Sequence, residues 1–133
     1  MDKKIISTAA ILGMVAIILG AFGAHALKKV LTIEQLATFE TGVRYQMYHA
    51  LFLLFIGTTT LINQKLKKTI LYMTLLGVVF FSGSIYLLAT NSLTAIDFKT
   101  IGFITPIGGL FLIISWFLLL FDLTKPIKNK NKT

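Results

Sequence analysis

Residues 69–96 read TILYMTLLGVVFFSGSIYLLATNSLTAI and contain no Asp, Glu, Lys or Arg. Three further uncharged stretches cover residues 5–27, 45–64 and 100–121. Each is long enough for a helix to cross a hydrocarbon core of roughly 30 Å, which takes about 20 apolar residues. Lipid admits only helices or closed barrels, and these stretches lack the polar–apolar alternation of barrel strands. The sequence therefore predicts an all-α integral membrane bundle of four transmembrane helices.

The composition excludes several other classes of protein. Hydrophobic residues make up 56% of the chain and the mean hydropathy is +0.83, above the usual range for soluble domains. The chain has no cysteine, which excludes disulfides, thiolate nucleophiles and Cys-ligated metal centres. The net charge of +8 comes mainly from lysines beside the uncharged stretches. Basic residues there contact anionic headgroups and fix orientation, so we predict no binding of nucleic acid.

The four predicted spans lie at about residues 5–27, 45–63, 69–90 and 100–121 of a single membrane domain, residues 1–133. The termini and the central loop together carry nine Lys residues, whereas the opposite side carries four Lys or Arg residues. Positive residues concentrate on the cytoplasmic side of membrane proteins, and Trp116 fits an aromatic belt there. We therefore predict a multi-pass membrane protein with both termini cytoplasmic and a disordered basic tail, about residues 124–133.

An amphipathic helix is predicted between the first two spans, at about residues 33–43. Thr32 and Gln35 form a capping-box pattern, which marks the start of a helix. Apolar residues then recur at spacings of three and four, as on one helix face. The segment either lies in the outer interface or runs straight into the second span. We favour a short interfacial helix that bends into the membrane near Gly42–Tyr45.

Three small residues, Ala16, Gly20 and Ala24, recur at every fourth position of the first span. Such a ridge lets two helix backbones approach closely in a bilayer. We expect the ridge to pack against another helix of the same chain, the second or the fourth span. A seam between two copies of the chain is the alternative.

Polar side chains gather at the predicted outer ends of the first two spans. In the second of these helices, positions 40, 44 and 48 share one face, as do positions 45 and 49. Polar groups at membrane depth are costly and usually have a partner or a task. We predict one polar cluster under the outer membrane surface, formed by His25, Glu40, Arg44, Tyr45, Tyr48 and His49.

Three interpretations of this cluster are open. Its members satisfy one another, with a Glu40–Arg44 ion pair, and only lock the helices together. Alternatively, they bind a lipid headgroup or a small polar molecule. As a third alternative, His25 and His49 ligate a metal or a haem. We favour the first interpretation and predict no metal and no cofactor.

Motifs of catalysis and of ion transport are missing from the sequence. No Asp or Glu lies within any predicted span, although proton-coupled carriers and cation channels typically need one there. No HExxH, GxSxG, P-loop or dinucleotide-binding pattern occurs. We therefore predict no catalytic residue and no enzymatic activity.

Two motifs carry a resemblance to a known family. Residues 20–27 read GAFGAHAL, and residues 39–51 read FETGVRYQMYHAL. With this pattern, G-A-x-G-A-H-x-L and then Y-Q-x-x-H, the chain resembles the YgdD/YwdK-like small bacterial membrane proteins of unknown function. The resemblance covers nearly the whole chain in length and number of spans. It implies that His25, Tyr45 and His49 are signature positions, and it implies no reaction, substrate or cofactor.

Together with the resemblance, these features predict a non-enzymatic integral protein of the bacterial plasma membrane with an envelope or accessory role. The alternative is a small oligomeric transporter or pore, and a more distant one is a haem- or metal-binding membrane subunit. The expected partners are membrane lipids and either a second copy of the chain or another membrane protein.

Overall fold

The computed structural model describes residues 1–126 as helices joined by short connections. The predicted all-α class is confirmed, and no strand occurs in these residues. Residues 127–133, which hold most of the predicted basic tail, lie outside the described part. Five α-helices follow in order: α1, Asp2–His25; α2, Ile33–Thr58; α3, Gln64–Val78; α4, Ser84–Ala89; and α5, Ile104–Leu123. A π-helical segment, Val79–Gly83, joins α3 to α4 without a break.

Three helical segments are long and apolar enough to cross a membrane: Asp2–Lys29, Gln64–Ala89 and Lys99–Leu123. α2 has 26 residues, or about 39 Å at 1.5 Å per residue, so it also has the length of a span. Its sequence, however, includes polar residues such as Arg44 and His49 among the apolar ones. The described helices therefore fit a multi-pass membrane protein with three strongly apolar helical segments.

α2 runs without interruption through the predicted bend. Its start agrees with the sequence, because Thr32 and Gln35 each accept the backbone N–H of the other, at 3.1 and 3.0 Å. The predicted bend near Gly42–Tyr45 is wrong, and the helix follows the continuous alternative. Gly42 serves close packing instead, since a Cβ there would lie 2.7 Å from the ring of Tyr86.

α1 and α2 pack against each other in antiparallel order. The glycines of α1 define the register, because a Cβ on each would lie 3.2–3.7 Å from a facing side chain, in the pairs Gly23–Phe39, Gly20–Val43 and Gly13–Ala50. In the predicted small-residue ridge, Ala16 is buried, Gly20 faces α2 and Ala24 is exposed. The ridge thus approaches α2 at Gly20, and its last residue is left on the surface.

α3 and the π-helical segment pack antiparallel to α5 through glycines. A Cβ at Gly77 would lie 2.5 Å from the Leu112 side chain. A Cβ at Gly108 would overlap the backbone of Phe80 and Phe81. Backbone meets backbone at this point, so only the hydrogen of a glycine fits between the helices.

A buried lysine fastens one end of the bundle. Lys67, which is 1% exposed, donates to the Asp2 carboxylate at 3.0 Å and to the Thr59 carbonyl at 2.6 Å. Gln64 donates to the same carboxylate at 3.0 Å. These bonds join the starts of α1 and α3 to the end of α2. The α2–α3 connection and the chain after α5 line one depression, so the N-terminus, this connection and the end of α5 share one end of the bundle.

Candidate functional site

His49 is a buried histidine, with 4% of its surface exposed. Its Nδ1 atom lies 2.7 Å from the carbonyl oxygen of Tyr45, one turn earlier in α2. Its Nε2 atom lies 3.1 Å from the indole nitrogen of Trp116 on α5. A carbonyl only accepts and an indole N–H only donates, so Nδ1 carries the proton and Nε2 is the acceptor. The two bonds therefore fit a neutral imidazole in one tautomer.

Both nitrogens of this imidazole are in use. A general base or a metal ligand needs a free ring nitrogen, and Trp116 would have to leave Nε2 to supply one. No group of three or more His, Cys, Asp or Glu residues that could hold a metal ion occurs in residues 1–126. The arrangement acts as a hydrogen-bonded link between α2 and α5.

Aromatic rings surround the link between His49 and Trp116. The centre of the indole lies 4.3 Å from that of Phe52, and the rings of Tyr45 and Phe81 are 4.9 Å apart. A groove of about 330 Å³ opens beside the imidazole, and its lining is Tyr45, His49, Phe81, Gly109, Leu112, Ile113 and Trp116. The groove is therefore mostly apolar, and the imidazole and indole nitrogens beside it already have partners.

Gln46 makes a second polar link, between three helices. Its side-chain nitrogen donates to the Leu12 carbonyl on α1 at 2.9 Å, and its oxygen accepts the Tyr86 phenol on α4 at 2.7 Å. Ser82 in the π-helical segment donates to the Gly42 carbonyl at 2.7 Å. Hydrogen bonds between helices in a bilayer contribute about 0.6 kcal/mol each on average. α2 thus carries polar links to α1, α4, α5 and the π-helical segment.

The predicted cluster does not form around both histidines. His25 is exposed at the end of α1. The α1–α2 register puts it level with about residue 38, which is about 11 residues, or roughly 16 Å, from His49 along α2. The two histidines therefore lie at different depths of the bundle and do not share one cluster. Because α2 begins at Ile33 rather than near Tyr45, His49 lies inside a longer helix and not one turn from its outer end.

The other predicted members lie on the exposed side of α2. Arg44 donates to a threonine hydroxyl one turn earlier, and the expected Glu40–Arg44 ion pair is not among the ion pairs of the described chain. Tyr45 and Tyr48 are about half exposed, with ring centres 5.6 Å apart. The structure groups these two tyrosines with His49, and leaves apart His25, Glu40 and Arg44.

Sequence reasoning missed the partners that lie on other helices. Trp116 matches an aromatic-belt pattern in the sequence, yet its N–H serves His49. Gln46, Ser82 and Tyr86 are also absent from the predicted cluster. The available signal was the cost of an unpaired amide in lipid, because Gln46 lies inside a predicted span and needs partners on neighbouring helices.

The comparisons with known proteins agree with this architecture. The family described as "Protein of unknown function (DUF423)" matches residues 19–109. A UPF0382 membrane protein of Staphylococcus haemolyticus is 44% identical over 126 residues, which cover 92% of this chain and 97% of that protein. YwdK of Bacillus subtilis, also a UPF0382 membrane protein, is 37% identical over 122 residues, which cover 88% of this chain and 93% of that protein.

A third relative is the UPF0382 inner membrane protein YgdD of Escherichia coli. It is 35% identical over 115 residues, which cover 84% of this chain and 82% of that protein. No solved structure matches the chain significantly. The resemblance found in the two sequence motifs is therefore confirmed, and the chain belongs to the DUF423 family of bacterial membrane proteins, whose function is unknown.

Proposed function

We propose that this chain is a non-enzymatic integral protein of the bacterial plasma membrane with an envelope or accessory role, in which polar side chains hold the helices together. The observation that carries the proposal is the bond between His49 and Trp116, because it occupies the ring nitrogen that catalysis or ligation would use. Both polar atoms of the Gln46 amide group likewise have hydrogen-bond partners within the bundle. The relative YgdD is named as an inner membrane protein, which supports the location.

In this proposal the bundle crosses the membrane four times and both termini are cytoplasmic. α2 lies antiparallel to α1 and buries Gln46 and His49 inside the bundle, which shields these polar groups from lipid. The end that holds the N-terminus has the larger share of basic residues, and such an excess favours the cytoplasmic side. Its described lysines are Lys3, Lys4, Lys65, Lys67, Lys68 and Lys125.

The pore or transporter alternative gains no support from the described residues. Within residues 1–126 the buried polar side chains, with the exception of Thr74, bond to other polar side chains or to backbone carbonyls, and they do not line a polar path. The groove at His49 is mostly apolar. Membrane lipids, together with a second copy of the chain or another membrane protein, are the proposed partners.

Purification of the full chain in a mild detergent tests the proposal. We expect native mass spectrometry to show the chain with phospholipids or protein partners only, with no haem absorbance band and no stoichiometric metal. His49→Phe should lower the melting temperature without releasing a small molecule. A stoichiometric haem, metal ion or soluble metabolite that is lost from His49→Phe would overturn the purely structural interpretation.

A further inference from the structure

Lys4 and Tyr72 join α1 to α3 on the surface of the bundle, at the end that holds the N-terminus. The Lys4 ammonium donates to the Tyr72 phenol oxygen at 3.1 Å and lies 5.5 Å from the centre of its ring. Lys65 and Lys68 precede Tyr72 by seven and four residues, so all three share one face of α3. We call these four exposed residues, Lys4, Lys65, Lys68 and Tyr72, the Lys4–Tyr72 cluster.

This cluster offers hydrogen-bond donors without acceptors. An ammonium can only donate, so the Tyr72 oxygen is the acceptor of its bond to Lys4, and the phenol proton is directed elsewhere. In the part of the chain that the structure describes, no group accepts that proton and no carboxylate pairs with the three lysines. The two carboxylates at this end of the bundle are already paired with other lysines. The cluster is therefore complementary to an anion with several acceptor oxygens.

A phosphate group supplies those oxygens, and the surface beside the cluster indicates which phosphate. The face of α3 that carries Tyr72 continues to Leu76 and then to Val79, which are 44% and 61% exposed. A soluble anion gains nothing from contact with this apolar surface, whereas the acyl chains of a lipid can pack along it. Basic pockets between transmembrane helices near the cytoplasmic surface are typical sites for anionic headgroups.

We propose that the Lys4–Tyr72 cluster binds the phosphate of an anionic phospholipid, whose acyl chains lie along Leu76 and Val79. The lysine ammonium groups neutralise the phosphate, and the Tyr72 hydroxyl donates to one of its oxygens. The proposal rests on the proposed membrane crossing of α1 and α3 and adds the class of lipid and the residues that select it.

Lipid binding to the full chain in a neutral detergent tests this site. The probes are phosphatidylglycerol and phosphatidylcholine with identical acyl chains, and native mass spectrometry measures the bound fraction of each. We expect a preference for phosphatidylglycerol that falls about 25-fold in the double variant Lys4→Gln, Lys68→Gln, at roughly fivefold per lysine. Tyr72→Phe keeps every charge and should reduce the preference a few-fold, because it removes one donor.

A double variant at the opposite end of the bundle, Lys28→Gln with Lys29→Gln, is the matched control, because it also loses two positive charges. An unchanged preference in the cluster variants, or an equal loss in the control, would overturn the proposal. Displacement of the lipid by inorganic phosphate alone would show a site for a soluble anion and would also overturn it. Binding in detergent does not depend on which side of the membrane this end of the bundle occupies. If both termini prove not to be cytoplasmic, the lipid-binding test therefore remains valid. If the double variant does not fold, Tyr72→Phe tests the proposal instead, and an unchanged preference for phosphatidylglycerol in that variant would overturn it.

Discussion

Gly108→Ala should destabilise the bundle far more than the same change at the next residue, Gly109. A Cβ at Gly108 would lie 2.6 Å from the carbonyl carbon of Phe80, which is part of the backbone. The nearest atoms to a Cβ at Gly109 are ring carbons of Phe81 at 3.6 and 3.7 Å, in ordinary contact. One methyl group therefore overlaps a helix backbone, and the other fills space beside a ring.

The magnitude follows from the close approach of the helices. Carbon atoms pack at about 3.5–4.0 Å, so α5 and the π-helical segment would have to separate by about 1 Å to admit the methyl group of Gly108→Ala. Overpacking of this kind costs about 1–3 kcal/mol and occasionally more. Replacement of Gly by Ala inside a helix stabilises by about 1 kcal/mol. We expect a net loss of up to about 2 kcal/mol for Gly108→Ala and a gain of up to about 1 kcal/mol for Gly109→Ala, so the two variants should differ by the overpacking cost of about 1–3 kcal/mol.

Thermal unfolding of the two purified variants in one detergent, followed by circular dichroism, measures the difference. A chain of this size shifts its melting temperature by about 3–5 °C per kcal/mol, so the two variants should differ by roughly 3–15 °C. Gly83→Ala is a further control, because a Cβ there would meet no atom within 4 Å. Equal melting temperatures for Gly108→Ala and Gly109→Ala would refute the backbone contact between α5 and the π-helical segment.

Three further changes test other parts of the bundle. His49→Phe should cost about 0.5–1.5 kcal/mol in thermal unfolding, because the indole N–H loses its acceptor, whereas the exposed His25→Phe should cost nothing measurable; equal losses would contradict the assigned contacts. Lys67→Gln should lower the melting temperature more than the same change at an exposed lysine, because it removes a buried ammonium that donates to the half-exposed Asp2 carboxylate and to the Thr59 carbonyl; a drop no larger than at the exposed lysines would contradict this role of Lys67. Reporter fusions at the C-terminus and in the α2–α3 connection should read cytoplasmic, and a fusion at Asn91 external. An external signal at the C-terminus would contradict the proposed topology.

Local chemistry was sufficient to predict the helices. Long uncharged runs predict helical segments because lipid leaves the backbone no other partner, and the Thr32–Gln35 capping box placed the start of α2. The continuation of α2 through Gly42 was harder to predict, because a glycine in a helix can indicate either a bend or a close contact. The neighbour that decides between them, Tyr86, lies on another helix.

The candidate site was harder because it depends on the register between helices. Spacing along one helix correctly related Tyr45 to His49, which are one turn apart and share a hydrogen bond. The same reasoning could not place His25, since its depth depends on which glycines of α1 meet α2. In an apolar sequence several registers bury similar surface, so close contacts and a few polar links select among them. Trp116 is the hydrogen-bond partner of His49, and periodicity along α2 could not identify it because it lies on α5.

The bond between His49 and Trp116 also gives the protein an internal optical probe. The chain contains one tryptophan, so selective excitation of the indole reports on a single place, where α5 meets α2. An indole that donates to an imidazole emits differently from one that faces lipid alone. Emission followed in time during refolding into vesicles therefore separates the docking of the C-terminal helix from the formation of helical backbone, without a label.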